Sequence, residues 1–338
     1  MNSRLLISSL VLMTVSLMGF GQTIRRVNNN GLTGTNIYST IQDAHDAASD
    51  GDLIYIEGTK SSYGGFVCTK QLIFIGTGYF LMENGPMQAL ANESLINGGV
   101  EFDAGSSGSI LYGVNINFIG LSSYASTSTR VKVSNITISR CRIEHSINVE
   151  SGLSNVLISQ SIIFGNVSSG TNVSNLTIAN NILSSAVNLT NTTSGQLVNN
   201  VFTYEVGNMG SIYNCILSNN IMASMSTISL NNNTFSNNIG IGPQFPAGNG
   251  NQQNVAMADV FVVDATAGPY LDSRWKLKAG SPAIGAGIGG VDCGAYGGAT
   301  PYVLSGIPPY PTVSSFITSG IGSAATPLTV IIDTKGND

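Results

Sequence analysis

Charge-based chemistry has few places to reside in this chain. One stretch gathers the residue types it uses: Arg130-Val131-Lys132, then Arg140-Cys141-Arg142-Ile143-Glu144-His145, closing with Glu150. If side chains alternate outward along strands, Lys132, Arg142 and Glu144 collect on one wall, with His145 at a turn. Eliminating across a uronate needs a base for the proton beside the carboxylate and a cation for the charge that develops. Lys132, Arg142, Glu144 and His145 are therefore the candidate catalytic residues for a lyase acting on an acidic polysaccharide. Ca2+ enters only with that reaction, and no other cofactor is expected. The bland reading of the same residues is a solvated charged face, whose ion pairs contribute little. Glu101 and Asp103 are expected about two coils earlier, within reach of the cluster.

The rest of the chain is poor in such groups. Glu205 is the only charged side chain between residues 151 and 258, and no Lys or Arg lies between Arg142 and Arg274. Hydrolysing a glycosidic bond takes two carboxyls, about 5–5.5 Å or 6.5–9.5 Å apart, and this region offers no such pair. No paired-Asp or Gly-His-Gly pattern like that of polygalacturonase-type enzymes occurs. Of 338 residues, 42% are hydrophobic and 9% charged, against roughly 25% charged in an ordinary domain. With 13 basic and 18 acidic residues the net charge is -5. Electrostatic capture of nucleic acid is thereby excluded, and so is a disordered chain. His45 is expected at the surface of a short helix, and Asp292, among glycines, is expected to bond turn amides.

The elements that must carry these residues emerge from a repeat. Ser134-Asn135-Ile136-Thr137-Ile138, Ser154-Asn155-Val156-Leu157-Ile158 and Ser174-Asn175-Leu176-Thr177-Ile178 align without gaps. Carried forward, the register gives a polar column of Cys141, Ser161, Asn181, Asn200, Asn220 and Asn238. Ile138, Ile158, Ile178, Leu197, Leu217 and Phe235 form an apolar column before it. Ile143, Ile163, Leu183, Phe202, Met222 and Gly240 form another after it. A period near 20 residues is too short for two helices and too long for one strand. It fits a solenoid of short strands turned at Asn, Ser and Gly, each coil pairing with the next. Asn tolerates left-handed backbone at the turns, and stacked amides can form a ladder. Coils about 4.8 Å apart put Cys141 and Cys215 roughly 19 Å apart, beyond the reach of a disulfide.

A solenoid needs caps. Ser39-Thr40-Ile41-Gln42 reads as a capping box opening a helix with Ile41, Ala44 and Ala48 on one face. Leu53–Ile56 and Leu72–Gly76 read as strands. The run Tyr38-Ser39-Thr40-Ile41-Gln42-Asp43-Ala44, continued by Asp50-Gly51-Asp52-Leu53-Ile54-Tyr55-Ile56, resembles the N-terminal cap of pectin-lyase-like right-handed parallel β-helix proteins. Leu277–Gly287 with Asp292-Cys293-Gly294-Ala295-Tyr296-Gly297-Gly298 resembles the closing coil of their secreted bacterial members. The resemblance covers roughly residues 22–300. It implies an all-β right-handed parallel β-helix with a short N-terminal capping helix, and it leaves activity open, because that superfamily includes lyases, glycosidases, epimerases and adhesins.

Three segments are expected. Residues 1–21, a basic start, an apolar run and Gly19-Phe20-Gly21, read as a cleaved secretory signal. Residues 22–300 form the helix, and 301–338 a Pro-rich connector with a C-terminal β tail containing Leu328–Asp333. No later run is long and apolar enough to span a bilayer. A second apolar column, Ile162, Ile182, Val201, Ile221 and Ile239, adjoins the inward one. Adjacent strand residues face opposite ways, so one of the two columns faces outward and needs a cover. The expected cover is the tail or, failing that, a partner or second copy. The favoured function is a non-catalytic, secreted or cell-surface carbohydrate-binding or structural protein. The alternative is the acidic-polysaccharide lyase, and ice or mineral binding ranks last for want of regular Thr-x-Thr rows.

Overall fold

The computed structural model describes residues 22–84, 87–117, 128–203, 208–262, 271–323 and 326–337. The expected signal at 1–21, Glu205, and the expected irregular loop at Gly120–Thr129, apart from its last two residues, lie outside the described residues.

Val-, Ile- and Thr-rich segments of two to eight residues form strands whose alternate side chains bury, and successive coils stack them in parallel. Three walls result. The first runs from Ile24–Val27 through Leu53–Ile56, Ile73–Ile75, Ile110–Tyr112 and Thr137–Ser139 to Thr234–Ser236. The second stacks Asn115–Asn117, Arg142–Ile143, Ile162–Ile163 and their successors to Ile239–Gly240. The third stacks Tyr63–Cys68, Leu95–Phe102, Thr129–Val131, Ile147–Val149 and onward to Thr227–Asn231. Leu95–Phe102 spans two walls, pairing with Asn115–Asn117 at its start and Thr129–Val131 at its end. Gly98, at φ 143°, makes the bend. The fold is thus an all-β parallel solenoid.

The register matches the repeat in the sequence. Ile138, Ile158, Ile178, Leu197, Leu217 and Phe235 are partners along the first wall. Ile143, Ile163, Leu183, Phe202, Met222 and Gly240 are partners along the second. Their apolar side chains meet inside, and each fully buried one contributes about 1.5–3 kcal/mol. Between these columns the asparagines form a ladder. The Asn181 backbone N–H and Nδ2 donate to Asn200 Oδ1 at 3.0 and 3.1 Å, Asn200 does the same to Asn220, and Asn220 to Asn238. Each amide also donates to a carbonyl of the preceding coil, as Asn200 Nδ2 does to Ile178 O at 2.8 Å. All four cysteines are buried and free, and burial pushes the Cys141 and Cys293 thiols up to about 12.

The N-terminal cap is helix α1, Ile41–Ala47, with Ile41, Ala44 and Ala48 buried. The capping box lies one residue on from the expected one. Thr40 is the N-cap and its Oγ1 accepts from Asp43 N at 3.0 Å, because the first helical residue is the apolar Ile41. His45 is buried rather than at the surface, since its Nε2 accepts from Thr69 N at 3.0 Å on the first coil beneath.

The other end departs further from expectation. The last strand of the parallel ladder is Ile239–Gly240, with one further parallel bridge from Ile239 to Gln252, and Phe245 folds over the end of the stack, fully buried against Phe235. Residues 277–298 are not a closing coil. Together with the segment as far as Ile307 they form a strap running back along the outside of the second wall. This strap, with Val260 and Phe261 before it and Tyr79 and Phe80 from a loop near the front, covers the outward column Ile162, Ile182, Val201, Ile221 and Ile239. Among the described residues of the tail from 301, Tyr302 alone joins that apolar cover. A partner is not required there, and the inward column is the one led by Ile143. The tail itself makes an antiparallel hairpin of Thr312–Thr318 and Val330–Lys335. Asp292 bonds a turn amide as expected, accepting from Gly285 N at 2.9 Å.

Candidate functional site

Lys132, Arg142, Glu144 and His145 are distributed over two walls and the turn between them. Arg130 lies on the outward face of Thr129–Val131, with Lys132 one step beyond the strand's end. Glu101 and Asp103 stand one coil earlier, not the two expected, because Leu95–Phe102 pairs directly with Thr129–Val131, and Glu150 stands one coil later. The result is a closed ionic lattice. Arg130 reaches Glu150 at 2.6 Å and Glu101 at 3.5 Å, and Lys132 is held between Glu101 and Asp103, the latter at 3.0 Å. Each member keeps a fifth to two-fifths of its side chain exposed, so water screens the pairs.

Arg142 belongs to the second wall, in register with Ile162 of the outward apolar column. Its guanidinium lies 4.6 Å above the Phe80 ring and pairs with Glu144 at 2.5 Å. It thus finishes the covered stripe, stacking on an aromatic as Arg can and Lys does less well. His145 occupies the turn from second to third wall. Burial pushes its pKa down, its Nε2 is buried without a side-chain or backbone partner among the described residues, and Nδ1 meets the Ser146 carbonyl at 3.4 Å. An imidazole kept neutral in this way can accept a proton but carries no charge to stabilise an anion.

Beyond the lattice the described residues of the third wall's strands are uncharged on their outward face and polar. Arg130 is in register with Asn148, Ser168, Asn188 and Ser211 on successive coils. Asn148 Oδ1 accepts from Ser168 Oγ at 2.7 Å, and Asn188 Oδ1 from Ser211 N at 3.2 Å. Two shallow depressions flank the Arg130–Glu150 pair. One, of about 370 Å³, is edged by Gln42, Glu101 and Arg130, and the other, of about 460 Å³, by Asn148, Glu150 and Ser168. Chemically the wall offers paired charges and rows of hydroxyl and amide groups repeating once per coil. Among the described residues no group of three or more His, Cys, Asp or Glu side chains is placed to hold a metal ion.

Two functional elements escaped the sequence reading. The first is Asp272, wholly buried. Its Oδ1 accepts from Asn84 Nδ2 at 2.7 Å and Ser273 N at 2.9 Å, its Oδ2 from Ser305 N at 2.8 Å and Tyr302 Oη at 3.1 Å, and Tyr79 Oη meets Tyr302 Oη at 2.5 Å. Burial raises its pKa against these bonds. The group reads as a clasp between the front loop and the strap, because protein surrounds it and donors fill its oxygens. The second is a row of residues with left-handed backbone, Arg140, Gln160, Asn180, Asn199, Asn219 and Asn237, at φ 50–57°. They sit just before the inner ladder and point outward to grip the strap. Asn237 donates to Ala286 O at 2.8 Å, Asn199 to Asp292 O at 2.9 Å, Asn180 to Gly297 O at 2.7 Å, Gln160 to Pro301 O at 2.6 Å and Arg140 to Ile307 O at 2.8 Å. The signal for them was present as paired asparagines: Asn180-Asn181, Asn199-Asn200, Asn219-Asn220 and Asn237-Asn238, one facing out and one in.

No protein-family model matches the chain, and no curated protein matches it. Among the described residues no helix is long and apolar enough to cross a membrane.

Proposed function

We propose that the protein is a secreted or cell-surface β-helix of the pectin-lyase-like kind that binds carbohydrate along its third wall without cleaving it. The observation that carries this reading is the outward row Arg130, Asn148, Ser168, Asn188 and Ser211, with Arg130 and the adjacent Lys132 already bonded to Glu101, Asp103 and Glu150. Amide and hydroxyl groups at one-coil intervals suit the hydroxyls of a sugar chain laid along the stack. Cations satisfied by their own carboxylates have less to offer a developing negative charge.

A second reading, elimination on an acidic glycan, rests on His145, neutral through burial and able to accept a proton, with Arg142 on the strand before it and Glu144 just past that strand's end. The two readings separate in one experiment. The purified protein is screened on a glycan array and incubated with pectate, alginate and chondroitin, with and without Ca2+, while absorbance of the unsaturated uronate is followed. Array binding that weakens at least tenfold in Asn148→Ala/Ser168→Ala, with flat absorbance, is the expected result. Rising absorbance abolished by Arg142→Ala would reject it in favour of the lyase.

A further inference from the structure

The outward face of the first wall changes character along its length. Its first coils present Ile24, Leu53, Ile73 and Ile110 in one outward column and Tyr55, Ile75 and Tyr112 in the next, whereas later coils present Thr137, Leu157 and Thr177 in the first and Ser139, Ser159 and Ala179 in the second. Over the apolar part lie the connector Pro308–Pro311 and the start of the C-terminal hairpin. This roof is pinned by named bonds: Arg140 Nη1 to Ile307 O at 2.8 Å, Ala89 N to Val313 O at 2.8 Å, and Asn337 Nδ2 to Tyr310 O at 2.7 Å. Yet roof and floor do not close on one another. A cleft remains in two adjoining lobes of about 670 and 290 Å³, whose linings share Arg26, Tyr55, Thr77, Gln88, Pro311 and Thr312. That size is within the range of small-molecule sites, roughly 300–1,000 Å³.

The lobes differ in polarity. The smaller lies between Leu53 and Ile75 below and Pro308 and Tyr310 above, an almost wholly aliphatic and aromatic slot. The larger adds Glu57, Asn92 and Phe316. Its charges cancel locally, with Arg26 on one oxygen of Glu57 at 2.6 Å and Asn28 Nδ2 on the other at 2.7 Å. A free anionic or cationic headgroup would have to break that pair, whereas hydroxyls can add to it and to the Asn92 amide. We propose that this cleft binds an amphipathic ligand with an uncharged, hydroxyl-rich head and an aliphatic tail, the tail between Leu53 and Pro308 and the head at Glu57 and Asn92. The site stands on the first wall and does not depend on glycan binding by the third.

Octyl glucoside below its micellar concentration is a suitable probe, titrated calorimetrically into the purified protein alongside glucose and octanoate. The expected result is saturable binding of octyl glucoside, at least tenfold tighter than either glucose or octanoate. Leu90, 77% exposed at the rim of the larger lobe, provides a variant that leaves the packing intact. Leu90→Arg places a long charged side chain at the mouth and should weaken octyl glucoside about tenfold, and Tyr55→Ala should do the same through loss of the shared floor. Failure to saturate, equal affinity for octanoate, or unchanged affinity in Leu90→Arg would each overturn the proposal. The third-wall variant Asn148→Ala/Ser168→Ala should bind octyl glucoside as the parent does, which keeps this outcome separate from that of the glycan array.

Discussion

Asn200 and Asn155 both bond an asparagine one coil away, but they carry different free energies. Asn200 is fully buried, takes two donors from Asn181 on one oxygen, and gives its amide to Ile178 O. Asn200→Ala strands the Asn181 N–H and the Ile178 carbonyl where water cannot reach them, and each such group costs about 1–3 kcal/mol. A loss near 3 kcal/mol in urea unfolding is therefore expected. Asn155 donates to Asn135 Oδ1 at 3.0 Å in an exposed row, with its backbone at φ 58°. Asn155→Gly keeps the backbone conformation accessible and leaves its partner to water, so the change should stay within about 0.5 kcal/mol. Similar losses in the two variants would mean that the inner ladder is not the stabilising device its burial makes it.

The strap is an element held by both polar and apolar contacts, and Asp272 gives it a pH dependence of definite sign. Because burial raises the Asp272 pKa above 3.8, its ordinary value, the folded state holds that proton more firmly than the unfolded one. The stabilising contribution of protonation is therefore complete below about pH 4 and disappears as pH rises through the folded-state pKa. Asp52 acts oppositely: burial alone would raise it, but the amides of Ser49 and Thr23 and the Arg25 guanidinium prevail and lower it. The informative quantity is thus the difference between parent and Asp272→Asn. Thermal melts from pH 4 to 7 should show the parent losing ground relative to the variant as pH rises, even though the variant is the less stable at pH 4, with an amide turned toward the Ser305 N–H. Parallel curves would contradict the assignment. This element also marks where the sequence was hard to read. Coil register was legible because like residues recur every 18–20 positions. The strap has no period, since it crosses coils instead of adding one, and its Gly-rich run resembled a closing coil. Gly306, at φ 55°, passes so near the Tyr79 ring and the Arg140 carbonyl that a side chain would collide with both. Asp272 was invisible because its partners are 30 or more residues away in sequence, apart from Ser273.

At the scale of the molecule, two layers are added to the solenoid after its coils are complete, and they should separate on truncation. Ending the chain after Pro311 removes the hairpin, whose Phe316, Ile317, Ile331 and Ile332 are each more than half exposed. A lone two-stranded hairpin adds little stability of its own, and the strap with its Asp272 clasp remains in place. That variant should fold, melt close to the parent, and bind a hydrophobic dye no more strongly, because the apolar surface uncovered on the first wall is offset by the loss of the hairpin's own. Ending the chain after Ala256 removes the whole strap and exposes Ile162, Ile182, Val201, Ile221 and Ile239, all now 0–1% exposed. At about 1.5–3 kcal/mol apiece, uncovering five such side chains approaches the entire stability of an ordinary domain, and the contiguous stripe is of a kind that drives association. Strong dye binding and aggregation should accompany the second truncation and not the first. If both variants stay soluble and dye-free, the outward column is not an obligatory interior face and the strap is not its cover. If the first truncation already aggregates, the hairpin holds the roof and the strap together more firmly than its exposed strands imply.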